Sequence, residues 1–312
     1  KIAPAIAAGC PIILKPASST PLSALELARI AYSAGLPKGA LSILPMDRVT
    51  GNQLVTDERF KLLTFTGSPQ VGWKMKEMAG KKRVVLELGG NAGVVISVSA
   101  DLEKAIKKCV IGAFAYSGQV CIHTQRIYVH QSIFDSFIDK MKDLSSNLTI
   151  GDPLDNSTDI SAMIDEENAS RVAKWVQEAI QGGAKLIVGG KQKGNVYEPT
   201  ILTQTKPNMK VCCEEVFGPV VIVESFNEFP EAINAINNSQ FGLQAGVFTN
   251  QIDEELYAFN ELKVGGVIIN DVPTFRVDHM PYGGVKDSGL GREGVKYAMH
   301  DMLEPKLLVR GT

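Results

Sequence analysis

Residues 117–126, SGQVCIHTQR, set one cysteine among small and polar neighbours, with Gly-Gln close before it and an arginine after. A thiol becomes a strong nucleophile only when its pKa is lowered or a base stands near, conditions that a helix N-terminus, backbone amides or a cation can supply. Cys121 falls between a predicted helix and a predicted strand, where backbone amides can converge on a reacting oxygen. Most lone cysteines are small buried hydrophobes, and that reading suits the other four. Cys10 follows a helix-ending glycine, Cys109 sits within an amphipathic helix, and the vicinal pair Cys212 and Cys213 precedes EEVFGP with no spacing that suggests catalysis. The odd number, irregular spacing and lack of a CxxC pair exclude a disulfide framework or a zinc site, so no metal is expected and the thiols stay reduced. Glu87, in LELGGN, ends an apolar strand and is followed by two glycines. Partial desolvation there would raise its pKa toward that of a useful general base, although the same residues also read as an exposed strand-end glutamate before a turn.

These side chains need a scaffold of some size. A chain of 312 residues with 45% hydrophobic and 21% charged content is an ordinary globular sequence, and two domains is the better expectation. The formal charge of −2, without a Lys/Arg block, gives no reason to expect nucleic acid or an anionic membrane as partner. No apolar run spans a bilayer, and the opening KIAPAIAAGC lacks the flank and cleavage site of a signal peptide, which predicts a cytoplasmic protein acting on small molecules.

The first third alternates strand and helix. PIILKP reads as a short strand, followed by a helix over 18–35 with Ser19 or Thr20 as N-cap and Pro21 in its first turn. ALSILP with VTGNQLVTD, then FKLLTFTGS with PQVGWKMKEMAG, repeat the unit, and KRVVLELGG adds a strand. Such repeats imply a parallel sheet, whose ligands lie beyond the carboxyl ends of the strands. Lys15 to Ser18, Gly67 to Ser68 and Glu87 to Gly90 all fall there. Beyond the predicted boundary at LGGN the α/β texture continues, with a strand at AGVVIS, a helix from about Asp101 to Ala115, a strand at RIYVH and helices over 132–144 and 166–183.

Taken in order, ILKPASSTPLSAL, FTGSPQVG, LELGGN, GQVC with the later Arg126, EEVFGPV and PYGGVKDSGLGRE form a series that resembles the non-acylating NAD(P)-dependent aldehyde dehydrogenase superfamily. The resemblance covers essentially the whole chain but begins after the family's first β-α units. It implies an α/β fold: an open parallel Rossmann-like sheet, incomplete at its N-terminal end, over 1–88, a second α/β catalytic domain over 89–286, and a C-terminal helix and oligomerisation strand over 287–312. It also implies that about a third of a usual chain, with the oxyanion-hole asparagine, lies before Lys1 and that this chain alone is impaired.

By the same resemblance Cys121 is the nucleophile that forms a thiohemiacetal and then a thioester, and Glu87 the base that activates water to hydrolyse it. Glu215 and Phe217 hold the nicotinamide ribose and ring, Gly67 and Ser68 the pyrophosphate turn, and Lys15 the adenine ribose. Position 18 decides the cofactor. Relatives restricted to NAD carry a glutamate there, which repels a 2′-phosphate; Ser18 has no charge, so NADP or dual use is expected over strict NAD. The adenine loop departs from the family, with Met46, Asp47 and Arg48 where glycines are usual. Val120 is apolar where glyceraldehyde-3-phosphate specialists have a base, and His123 and Tyr282 are expected at the substrate mouth, suiting a small polar or semialdehyde substrate. EPKLLVRG resembles the strand by which members form homodimers or homotetramers. Two other readings stand beside this one: a truncated or silent member acting as a structural or binding partner, and a glutamyl-phosphate-type reductase, in which Glu87 would have no task.

Overall fold

A computed structural model describes residues 1–311 and divides into two compact units. The first holds residues 1–87, 276–283 and those from 290 onward; the second holds 88–275 and 284–289. The stretch 276–286, assigned from sequence to the catalytic domain, is therefore split, because its first eight residues return to the unit that carries Glu87.

In the first unit, helix α1 (Ile2–Ala7) leads into β1 (Ile12–Leu14), α2 (Leu22–Ser33), β2 (Leu41–Ile43), α3 (Arg48–Thr56), β3 (Leu62–Thr66), α4 (Pro69–Met78) and β4 (Arg83–Glu87). The strands pair in parallel, β1 with β2 and β3 with β4, in two separate sheets among the described residues. Local chemistry starts the helices. Asp47 caps α3 by accepting from the Thr50 amide, and Pro69 opens α4 after Ser68, using a ring whose missing N–H the first turn does not need. Helix α2 differs from expectation. Its N-cap is Pro21 rather than Ser19 or Thr20, and no side chain caps it, because the ring holds φ at −81° in the helical region.

The second unit runs β5 (Ala92–Ile96), α5 (Leu102–Phe114), β6 (Thr124–His130), α6 (Phe134–Ser146), α7 (Glu166–Gln181), β7 (Lys185–Val188), the hairpin β8 (Gln192–Lys193) and β9 (Val196–Tyr197), and β10 (Thr200–Thr203). It continues through α8 (Lys210–Cys213), β11 (Val220–Phe226), α9 (Phe229–Asn237), β12 (Phe241–Gly242), β13 (Gln244–Phe248), α10 (Ile252–Glu261), β14 (Gly266–Ile269) and β15 (Val285–Lys286). Seven of these strands form one sheet in the order β14-β13-β5-β6-β11-β10-β7, parallel except where β7 meets β10. Side chains of β5 alternate between its faces: Val94 and Ile96 pack with Ile106, Phe114 and Phe137 of α5 and α6, while Val95 packs with Ile233 and Ala258 of α9 and α10. Helices on both faces make β5 a continuous apolar run.

Candidate active site

The cysteine segment begins where α5 ends. Tyr116, Ser117 and Gly118 follow with φ of 54°, 54° and 68°, a left-handed run that disfavours the first two residues. Tertiary contacts hold it. The buried Ser117 hydroxyl donates to the Ser161 carbonyl at 2.8 Å, and Gln119 Oε1 accepts from the Ile164 amide at 2.9 Å. A Cβ on Gly118 would stand 2.1 Å from the Gly218 carbonyl oxygen, so glycine is needed for this close approach. The run delivers a half-buried Cys121 just before β6. Among the other cysteines, burial pushes the Cys109 thiol up strongly, the Cys212 thiol to about 11 and the Cys213 thiol upward, which disfavours the thiolate at each.

The two glycines of LELGGN serve different neighbours. A Cβ on Gly89 would stand 2.6 Å from Glu215 Oε2, and one on Gly90 would stand 2.3 Å from the Cys121 carbonyl oxygen. The Gly90 amide also donates to Glu215 Oε1 at 2.8 Å. Burial raises the Glu215 carboxyl to about 7, against the pull of that bond and of the Arg171 charge. Phe217, two residues on, has φ +46° and a 38% exposed side chain. Within this unit the fold thus gathers Cys121, Gly89, Gly90 and Glu215. A ring left open at Phe217 and the second Glu215 oxygen suit a flat ring and ribose hydroxyls.

Two residues of the cysteine motif have other tasks. Arg126 is buried, donating from Nε to the Asn91 carbonyl and from Nη1 and Nη2 to those of Ala235 and Ile236, the negative end of α9. His123, expected at the substrate mouth, is instead buried and bonded through Nε2 to the Ala113 carbonyl at 2.8 Å. Burial lowers its pKa to about 4, so the ring is neutral and Nε2 is the donor. Val120 is half-buried beside it.

In the first unit the expected cofactor residues lie at the carboxyl ends of the strands. Ser18, the position expected to decide the cofactor, shares a groove of about 350 Å³ with Pro16, Ala17, Pro45, Met46 and Asp47. Lys15 turns its ammonium to the Pro16 carbonyl at 2.7 Å and rests its stem on Gly51. The Gly67 amide donates to the Glu87 carbonyl at 3.1 Å, and Ser68 occupies the α4 N-cap without a side-chain cap bond, leaving its hydroxyl and the first-turn amides for an anion.

Glu87 is 3% exposed, and neither carboxyl oxygen has a hydrogen-bond partner among the described residues. Burial, and secondarily the Glu293 charge, raise it to about 8, opposed by Lys1, Arg276 and Arg292. A Cβ on Gly283 would stand 2.6 Å from the Gly291 carbonyl oxygen and 3.0 Å from Glu87 Oε1, which explains one glycine of PYGG. Glu293 is itself held by Lys1 Nζ at 2.8 Å and Arg276 Nη2 at 3.1 Å. Tyr282, also expected at the substrate mouth, is buried; the Arg276 guanidinium lies 4.0 Å above its ring and is the more open group. Lys1, Arg276 and Glu293, together with Thr64, Asp278 and Arg292, help line a cavity of about 260 Å³. Sequence reasoning missed these three. Glu293 closes the PYGGVKDSGLGRE motif, but no spacing points from it to Glu87. Among the described residues no cluster of His, Cys, Asp and Glu could hold a metal ion, and no helix is long and apolar enough to cross a membrane.

Comparison with known proteins bears on the same residues. The profile described as "Aldehyde dehydrogenase family" matches residues 1–308. A 3-sulfolactaldehyde dehydrogenase of Priestia aryabhattai is 47% identical over 310 residues, covering 99% of this chain and 65% of that protein. The crystal structure of aldehyde dehydrogenase 21 from Physcomitrella patens, in complex with the reaction product succinate, superposes with TM-score 0.97 at 49% identity over 99% of this chain and 65% of its own. Glyceraldehyde-3-phosphate dehydrogenase GapN from Methanocaldococcus jannaschii, complexed with NADP, gives TM-score 0.93 at 42% identity over 97% and 67%. This chain thus spans about 65% of the length of the first two relatives. From the family profile, which covers nearly every residue, we conclude that the chain belongs to the aldehyde dehydrogenase family.

Proposed function

We propose that the protein oxidises a small aldehyde bearing an anionic group to the carboxylic acid, with NADP or NAD as hydride acceptor. The observation that carries this reading is Glu87, a buried carboxyl with both oxygens unpartnered among the described residues and a pKa raised to about 8. A carboxyl that served stability alone would be paired, whereas one left bare in this way is suited to take a proton from water. Cys121 Sγ adds to the aldehyde carbon, and loss of hydride from the adduct leaves a thioester. Glu87 then removes a proton from water, the oxygen attacks the thioester carbon, and the thiolate leaves. NAD(P)+ supplies only the hydride acceptor. Glu215 Oε2 and the Phe217 face would hold its nicotinamide riboside, Gly67 and Ser68 its pyrophosphate, and the Ser18 groove its adenosine. Asp47 remains anionic in that groove, but its carboxylate is engaged by the Thr50 amide, so tolerance of a 2′-phosphate still rests on Ser18.

The substrate class follows from Arg276. Only Nη2 of its guanidinium is bonded to Glu293, and the stack on Tyr282 fixes its plane, which suits a fork for a carboxylate or sulfonate. The named substrates or products of the three relatives above each carry an anionic group, a sulfonate, a carboxylate or a phosphate. Exposed Leu307, Leu308 and Val309 near the C-terminus support a homodimer or homotetramer. The test is turnover of 3-sulfolactaldehyde, succinate semialdehyde and propionaldehyde by the full chain. The anionic pair should be favoured, Arg276→Leu should erase the preference, and Cys121→Ala should abolish all turnover together with iodoacetamide labelling. A turning-over Cys121→Ala variant overturns the mechanism; equal use of propionaldehyde overturns the substrate class.

A further inference from the structure

The EEVFGP loop is held by two side chains from outside it, one from the cysteine segment and one from α7. Gln125, buried on β6, donates from Nε2 to the carbonyls of Val211 at 3.0 Å and Glu214 at 2.7 Å, and its Oε1 accepts from the Val216 amide at 2.9 Å. Arg171 on α7 donates from Nη2 to the Val216 carbonyl at 2.9 Å, with its guanidinium 4.8 Å over the Trp175 ring. The residue between Glu215 and Phe217 is therefore gripped at both its amide and its carbonyl. A glutamine supplies the two donors and one acceptor that the loop's two carbonyls and one amide need in a buried site, whereas a carboxylate would face two carbonyls and a leucine would leave three polar groups unpaired.

Beyond Val216 the loop is closed from the other side. The Gly218 carbonyl abuts Gly118, and a Cβ on Gly218 would stand 2.7 Å from Val172. With both ends fixed, Phe217 is driven into its left-handed conformation and its ring outward, and Glu215 is directed at the Gly90 amide. A free loop would relax from that conformation.

We propose that Gln125 and Arg171 are positioning residues for the nicotinamide half of the cofactor, acting through Val216 on Glu215 and Phe217. This rests on the reading of Glu215 and Phe217 given above. The geometry costs the cofactor no loop ordering on binding, so loosening the clamp should weaken cofactor binding and slow hydride transfer while sparing the thiol.

The test uses the full chain with Arg171→Met, Arg171→Lys, Gln125→Leu and, as reference, Glu215→Ala. Michaelis constants for both cofactors, the isotope effect with aldehyde deuterated at C1, and the rate of Cys121 alkylation by iodoacetamide are measured. Arg171→Met and Gln125→Leu should raise the cofactor KM roughly tenfold and expose an isotope effect, with Cys121 alkylation within about twofold of wild type. Arg171→Lys, which keeps a donor for the Val216 carbonyl, should recover most of the loss. If Gln125→Leu does not fold, the Arg171 pair carries the test. Unchanged KM and isotope effect in Arg171→Met, beside a clear loss in Glu215→Ala, overturns the clamp alone. No loss in Glu215→Ala overturns the underlying assignment of the loop, and the clamp with it. A fall in Cys121 alkylation equal to the fall in turnover would also overturn it, marking the two side chains as general supports.

Discussion

Gly90 passes so close to Cys121 that a Cβ added to it would stand 2.3 Å from the cysteine's carbonyl oxygen. Backbone is on both sides of the contact, so neither partner can swing away, and Gly90→Ala must displace the segment that carries the thiol. Overpacking of this kind costs about 1–3 kcal/mol. Thermal unfolding should show that loss, and alkylation of Cys121 should slow at least tenfold or so, since a displaced thiol leaves its arranged amides. Wild-type labelling in Gly90→Ala would mean that the contact does not set the position of Cys121.

Glu87 is raised to about 8, from an ordinary value of 4.5. Its basic form is the deprotonated one, so the rate of thioester hydrolysis should climb as pH rises through 8. Glu87→Gln should give a burst of reduced cofactor followed by slow turnover, with that climb lost; absence of the burst would assign Glu87 an earlier step. Stability runs the opposite way. A carboxyl whose folded pKa exceeds its unfolded one stabilises the fold most when protonated, and that contribution is lost between pH 4.5 and 8. Glu87→Gln, which stays neutral, should therefore gain in Tm over wild type as pH is raised from about 5 to 9.

Glu293 is the second cause of the raised Glu87 pKa, after burial. Glu293→Gln removes a like charge and frees Lys1 and Arg276, which favour the anion. The midpoint of the hydrolysis profile should fall, by something on the order of a unit. A midpoint that stays put would leave burial as the only cause that matters.

Ser18→Glu places an anion in the groove it shares with Met46 and Asp47. The KM for NADP should rise by about tenfold or more relative to that for NAD, and the difference should shrink at high salt. An equal loss for both cofactors would remove the adenosine ribose from this groove.

His123 is held neutral, at about 4 against an ordinary 6.5. Such a group supports the fold fully above pH 6.5 and loses that support as pH falls toward 4, because the unfolded chain takes up the proton first. His123→Gln keeps a donor for the Ala113 carbonyl without a titration. Its Tm should drop less than that of wild type between about pH 7 and pH 5.

The alternation of short strands with helices from PIILKP to LELGG, and the cysteine and glutamate at the ends of such elements, could be read from sequence because they depend on period, capping and local composition, which neighbours along the chain decide. Order of motifs identified the family for the same reason. What the glycines after Glu87 are for could not be read, since the groups they admit, the Glu215 carboxylate and the Cys121 carbonyl, lie 126 and 31 residues away from Gly89 and Gly90 respectively. Nor could the place of His123: a histidine two residues past a nucleophile looks available, and only the packing of α5 turns it inward to the Ala113 carbonyl. Glu293, Arg276 and the Gln125–Arg171 grip on Val216 belong with these. Charge and hydrogen bonding act through space over a few ångströms, and the chain folds distant residues to that range before either force can select them.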